Sequence, residues 1–183
     1  MNISVIGAGY VGLITGIGFA KLNHQVSIVD LNDDLIKNLN ENRPPFYEPE
    51  LVDYLNDSNI RNNLFFSTSY QKSINENTDI VFVCVQTPTD PDTGKTKTDY
   101  ISSVLTELKK IESFNFIICI KSTIKATLVE KISNEIDLDY KKIIFNPEFL
   151  REGSAFYDFF NPDRIVIGGS DPVSYTHLTL PTT

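Results

Sequence analysis

The first thirty residues, MNISVIGAGYVGLITGIGFAKLNHQVSIVD, constrain this chain more than any later stretch. Ile3, Ser4, Val5 and Ile6 read as a short buried strand. Gly7, Gly9 and Gly12 follow it in G-x-G-x-x-G spacing. The spacing predicts a helix over residues 10–22 and a second apolar strand over 25–29, ending on Asp30. Each glycine has a physical reason. Gly7 permits a tight turn, and Gly9 lacks the Cβ that would hold a pyrophosphate off the backbone. Gly12 lets the helix lie close to the strand. Free N–H groups and the positive end of the helix dipole then face the phosphates. Asp30 falls where a carboxylate accepts hydrogen bonds from the adenosine ribose, and its charge would repel a 2′-phosphate. That choice favours NAD over NADP.

Two plainer readings compete for this stretch. An apolar N-terminus suggests a signal peptide or membrane anchor, but no Lys or Arg precedes the run and five glycines would weaken a spanning helix. A glycine-rich βαβ unit without a ligand leaves the terminal acid unexplained.

At 183 residues the chain is long enough for one good core. Its 41% hydrophobic and 22% charged content is ordinary for a globular protein. A net charge of −8 argues against nucleic acid or an anionic membrane as the main partner. Cys84 and Cys119 lie in apolar, strand-like runs without C-x-x-C spacing, which is expected of reduced core thiols in a cytoplasmic protein. Neither His24 nor His177 has a partner at ligand spacing, so no metal site is expected.

Beyond Asp30, strand and helix patterns alternate. Asn32 is a candidate cap for a helix carrying Leu35, Ile36 and Leu39, which Pro44 and Pro45 end. FYEPELVDYLND restarts a short helix, with Glu48 and Glu50 suited to its positive end. NLFFSTS, residues 78–86, FNFIICIKS, KKIIFNPEF and RIVIGG (164–169) read as strands, and YQKSIN, 99–112 and 124–136 as helices. This alternation predicts an α/β fold, a doubly wound parallel sheet (Rossmann-like) with helices on both faces. The loops after residues 6, 30, 85, 121 and 145 should then line one crevice at the carboxyl ends of the strands. The segment 170–183 breaks the pattern as an atypical tail.

Three of those loops carry candidate chemistry. Val85, Gln86, Thr87, Pro88 and Thr89 could face a ribose or nicotinamide, or form an ordinary proline turn. Ser122 and Thr123 follow Lys121 and could serve a ligand or simply cap the next helix; Lys121 could be a solvated strand-end charge. FNPEFLREG (145–153) places Glu148, Arg151 and Glu152 beyond a buried strand. A carboxylate there has the chemistry of a general base toward water or a substrate hydroxyl. A surface ion pair between Arg151 and an acid is the alternative.

Together, GAGYVGL (7–13), Asp30, YEPEL (47–51), VQTPTD (85–90), KST (121–123), NPEFLREG (146–153) and RIVIGG (164–169) resemble the N-terminal half of the UDP-glucose/GDP-mannose dehydrogenase family. The motifs fall in family order over residues 1–169, and FYEPEL leans toward the UDP-glucose branch. The resemblance implies a four-electron oxidation of a nucleotide sugar, alcohol to carboxylate, with two NAD. An enzyme cysteine in a later domain carries the thiohemiacetal and thioester. It further implies NAD contacts from Gly7, Ala8, Gly9, Tyr10, Val11, Gly12, Asp30, Val85, Thr87, Pro88, Thr89, Ser122 and Thr123. Thr123 matches a residue ordering the catalytic water, and Glu148 the glutamate that activates it. Glu148, Phe149, Leu150 and Arg151 match a substrate loop, and Glu152 a position near both ligands. The family usually continues its ST motif with Pro and Gly, where this chain has Ile124, Lys125, Ala126 and Thr127. The central helix, which carries a lysine and mediates dimerisation, and the cysteine-bearing C-terminal domain have no counterpart here. The 183-residue chain is therefore expected to bind NAD weakly and not to turn over UDP-glucose, while the full-length protein would be a homo-oligomer.

Overall fold

Strand β1 (Asn2–Ile6) lies inside the sheet, third from one edge, and decides how everything else is arranged. It is paired in parallel with β2 (Gln25–Val29) on one side and with β4 (Ile80–Val83) on the other. The computed structural model describes residues 1–111 and 115–169. Beyond β2 lies β3 (Leu64–Ser67), and beyond β4 lie β5 (Ile117–Ile120), β6 (Ile143–Phe145) and β7 (Gly168–Gly169). The order is β3-β2-β1-β4-β5-β6-β7, with every pair parallel except β6 with β7. The expected doubly wound sheet is present, with one correction at its edge. Among the described residues RIVIGG pairs only through its two glycines, and antiparallel; Ile165 and Val166 stay exposed.

Side chains alternate across the strands and build two cores, as pleating requires. Ile3, Val5, Ile80, Phe82 and Cys119 meet helix α1 (Tyr10–Lys21), while Ile6, Val81, Val83, Ile118 and Ile120 meet α6 (Asp99–Lys109) and α7 (Ala126–Glu135). Residues on both faces are almost fully buried, which is why these strands read as continuous apolar runs. Helix α1 is itself buried from Gly12 to Ala20, between the sheet and α8 (Ala155–Phe160). A Cβ at Gly16 would sit 2.5 Å from Ile28 Cδ1, so the helix glycines set how closely α1 approaches the sheet.

Smaller elements fill the connections: α2 (Asp33–Asn40), α3 (Leu51–Asn56), α4 (Ser58–Arg61) and α5 (Tyr70–Ser73). Asn32 caps α2 as expected, accepting from the Leu35 N–H at 3.0 Å. α6 ends at Lys109, and residue 112 of the expected helix lies outside the described residues, as does the 170–183 tail. β4 ends at Val83, so Cys84 lies just past a strand, not in one. Among the described residues no helix is long and apolar enough to cross a membrane.

Candidate dinucleotide site at the switch point

The strand order reverses between β1 and β4, and the glycine loop sits at that reversal. Gly7 continues β1 with φ +100, a conformation that L side chains rarely adopt. A Cβ there would lie 2.8 Å from the Cys84 carbonyl oxygen. Gly12 meets a harder limit, since its Cβ would fall far inside contact distance of the Gly7 carbonyl oxygen. The close approach expected from sequence is thus between α1 and the residue that continues β1. Gly9 is different: it is exposed, it precedes α1 with no side-chain cap, and a Cβ there meets nothing within 4 Å. Open space therefore lies over a helix start whose first N–H groups lack intrahelical partners. Bare main chain of this kind suits an anionic group such as a diphosphate.

Asp30 turns toward this loop. One carboxylate oxygen accepts from the Ala8 N–H at 2.8 Å and the other from Asn32 N–H at 3.0 Å. A carboxylate offers about four lone-pair directions, so two further bonds remain possible after these. Asp30 is thus a clamp on the glycine loop.

The other strand-end loops are cross-tied by hydroxyls. Ser122 Oγ donates to the Val85 carbonyl at 2.6 Å, and Thr87 Oγ1 to the Thr123 carbonyl at 2.8 Å. Neither Ser122 nor Thr123 caps α7, whose N-cap is Lys125 without a side-chain bond. The Pro88 carbonyl accepts from Lys97 N–H, and Thr89 forms an antiparallel bridge with Thr96, so residues 87–98 fold back as a short flap. Lys121 is not simply solvated: its ammonium donates to Asn146 Oδ1 at 3.0 Å, joining the β5 and β6 ends.

Beyond β6, Glu148 Oε2 accepts from the Leu150 N–H at 2.8 Å and shapes the turn. Leu150 leans on the core under α1, while Phe149 is exposed beneath the Arg164 guanidinium, 4.8 Å from its ring centroid. Arg151 has taken the ion-pair option, with Asp158 as its acid. Nη2 and Nε lie 2.6 and 3.1 Å from the two carboxylate oxygens, a bidentate geometry. Bonds from the Arg151 side chain and backbone hold the Asp158 carboxyl down at about 2.

Sequence reasoning placed Glu48 at a helix end, and the structure corrects this. α3 begins only at Leu51, Glu50 takes the N-cap position at φ +67, and Glu48 turns inward, 3% exposed. Its carboxylate accepts from Tyr10 OH at 2.8 Å and from the Gly153 and Ala155 N–H groups, each at 2.9 Å. Burial and the neighbouring Glu48 push the Tyr10 phenol well above its ordinary pKa, with smaller contributions from exposed Glu152 and from Asp158. Burial opposes the charge on Glu48, yet the Gly153, Ala155 and Tyr10 donors outweigh it and the pKa is lowered. The only local hint was an acid among aromatics and prolines without a basic neighbour.

Cys84 marks the centre. Its Cβ would lie 3.3 Å from a Cβ on Gly12, and the charges of Lys121 and Glu148 both act on its thiol. Burial pushes that thiol up to about 12 and raises Cys119 as well, so neither is a thiolate near neutral pH. Among the described residues no group of three His, Cys, Asp or Glu side chains could hold a metal ion.

Parallel sheets of this strand order take dinucleotides at their reversal, and by fold and site the molecule is a dinucleotide-binding domain of Rossmann type. Residues 1–179 match the model described as UDP-glucose/GDP-mannose dehydrogenase family, NAD binding domain, and the chain belongs to that family. It is 35% identical over 179 residues to UDP-glucose 6-dehydrogenase YwqF of Bacillus subtilis, covering 93% of this chain and 40% of that protein. A UDP-glucose dehydrogenase from Pyrobaculum islandicum superposes with a TM-score of 0.84 at 34% identity, over 96% of this chain and 42% of that one. A GDP-mannose dehydrogenase from Pseudomonas aeruginosa gives 0.86 at 28%, again over 96% and 42%. The chain therefore spans about two-fifths of the length of these dehydrogenases.

Proposed function

We propose that this chain is the NAD-binding half of a cytoplasmic UDP-glucose 6-dehydrogenase, with residues 1–169 as the folded unit. The observation that carries the reading is the open space over Gly9 at the bare start of α1, with the Asp30 carboxylate beside it. In this reading Gly9, Tyr10, Val11 and Gly12 present N–H groups to the diphosphate, Gly7 and Ala8, whose own N–H groups are held by the Val29 carbonyl and by Asp30, line the cradle, and Asp30 uses its remaining lone pairs on the adenosine ribose. Val85, Thr87, Pro88, Thr89, Ser122 and Thr123, cross-tied as described, hold the far side of the cofactor. NAD supplies the hydride acceptor, twice over for alcohol to carboxylate.

Glu148 then takes a proton from the water that Thr123 orients, as that water's oxygen bonds to the thioester carbon and the sulfur of the later domain's cysteine leaves, giving the carboxylate and the free thiol. Phe149, Leu150, Arg151 and Glu152 form the wall against the nucleotide sugar. Arg151 can serve a phosphate only by leaving Asp158 or by sharing its outer N–H groups. Neither cysteine is assigned the nucleophile's role: Cys119 is buried within β5 and Cys84 lies against the glycine loop at the end of β4, and burial raises both thiols. The 183-residue chain alone therefore binds NAD without steady turnover. The reading that differs by substrate is supported by the likeness to a GDP-mannose dehydrogenase.

The test is NADH formation from UDP-glucose and from GDP-mannose, by the isolated chain and by the complete protein carrying this domain. The reading expects UDP-glucose oxidation by the complete protein, as a homo-oligomer, and none by the isolated chain. Turnover by the isolated chain, or a preference for GDP-mannose, would refute the corresponding part.

A further inference from the structure

Glu48 is a buried carboxylate without a cationic partner among the described residues, in the connection between α2 and α3. Burying such a charge is costly unless hydrogen bonds replace the lost water. Three donors do so here, and they come from two segments far apart in sequence. Tyr10 is the first residue of α1, immediately after Gly9. Gly153 and Ala155 close the loop that begins at Asn146 and carries Glu148 and Arg151. Gly153 has φ +86, the left-handed region. The Tyr10 hydroxyl also lies 3.4 Å from the Arg151 carbonyl. A carboxylate serving only the dipole of α3 would sit outside, as exposed Glu50 does.

We infer that Glu48 is a positioning residue that fastens the glycine loop to the 146–155 loop through Tyr10, so that occupancy of one loop sets the geometry of the other. A diphosphate settling over Gly9 bears on the first turn of α1, where Tyr10 is anchored. Through the Glu48 carboxylate that constraint reaches Gly153 and Ala155, and from there Glu148 and Arg151. Coupling of this kind is reciprocal, so a ligand on the 146–155 loop tightens the glycine loop by the same factor. The identity of the ligand rests on the dinucleotide reading above; the connection between the loops does not.

Amide hydrogen exchange on the 183-residue chain, without ligand and with NAD, tests the coupling in Tyr10→Phe and Glu48→Gln. Tyr10→Phe leaves both backbone bonds to Glu48 in place. The expectation is about tenfold faster exchange at Gly153 and Ala155 without ligand. Glu48→Gln keeps one acceptor oxygen and puts an NH2 group where the other stood, so it loosens one of these amides more than the other. Adding NAD raises protection at Gly153 and Ala155 in the wild type and not in Tyr10→Phe. Unchanged exchange in ligand-free Tyr10→Phe would overturn the inference, as would an increase spread evenly over α1 and α8. If the wild type fails to bind NAD, the functional reading falls while the ligand-free comparison still decides the coupling.

Discussion

Replacing Gly9 with alanine separates a ligand cradle from a structural turn. At φ −74 and ψ −168 the residue occupies extended backbone open to any L residue, and its new Cβ meets nothing within 4 Å. Alanine is a poorer N-cap than glycine by about 1 kcal/mol or less. Against this, the unfolded chain loses freedom worth about 0.4–1 kcal/mol. The two nearly cancel, and thermal unfolding should match the wild type within about 1 kcal/mol. On the ligand side, the methyl group stands where a phosphate oxygen must come against the main chain. Forfeiting one charge-assisted N–H bond, about 1.5–3 kcal/mol, weakens NAD roughly 10- to 100-fold. Gly12→Ala supplies the contrast. Its Cβ collides with the Gly7 carbonyl oxygen, so stability itself should fall by about 1–3 kcal/mol or more. Calorimetric titration beside a melting curve reads both quantities. A Gly9→Ala protein that binds NAD like the wild type, or that melts like Gly12→Ala, would refute the cradle.

Other consequences can be measured on the same chain. Asp30→Asn keeps one acceptor for the Ala8 and Asn32 amides, so it should cost about 1–2 kcal/mol of stability and narrow any preference for NAD over NADP; undiminished discrimination in titrations would contradict the clamp. The Arg151–Asp158 pair stabilises through a depressed carboxyl pKa, so its contribution is complete above the ordinary carboxylate range and disappears as pH falls toward about 2. Melting temperature against pH should therefore fall less steeply on the acid side in Asp158→Asn, which starts lower at neutral pH; parallel curves would contradict this. Buried Cys119 should react with a thiol reagent at pH 8 no faster than the chain opens, and half-buried Cys84, held protonated, far more slowly than a free thiol. Prompt modification of either would count against that environment.

The strands were legible because both sheet faces are covered, so Ile80–Val83 and Ile117–Ile120 are nearly unbroken apolar runs. The glycine loop was legible because Gly7 and Gly12 answer to hard geometric limits that leave a fixed spacing behind. Glu48 was not, since its backbone partners lie 105 and 107 residues downstream and only the tertiary fold brings them together. The hydroxyl ties of Ser122 and Thr87 were hidden because their acceptors lie more than thirty residues away, while a local cap for Ser122 and a proline turn for Thr87 account for the same residues. The edge at β7 misled because Arg164 to Ile167 have strand composition without a strand to pair with among the described residues. Arg151 stood open between ligand and ion pair until the position of Asp158, one turn into α8, was known.

Titration of the chain with NAD and then with NADP addresses the site most directly. If the diphosphate lies on the main chain at Gly9 with the ribose against Asp30, NAD should bind at one site per chain and about tenfold or more tighter than NADP. Equal affinity for the two, or no binding of either, would contradict the account.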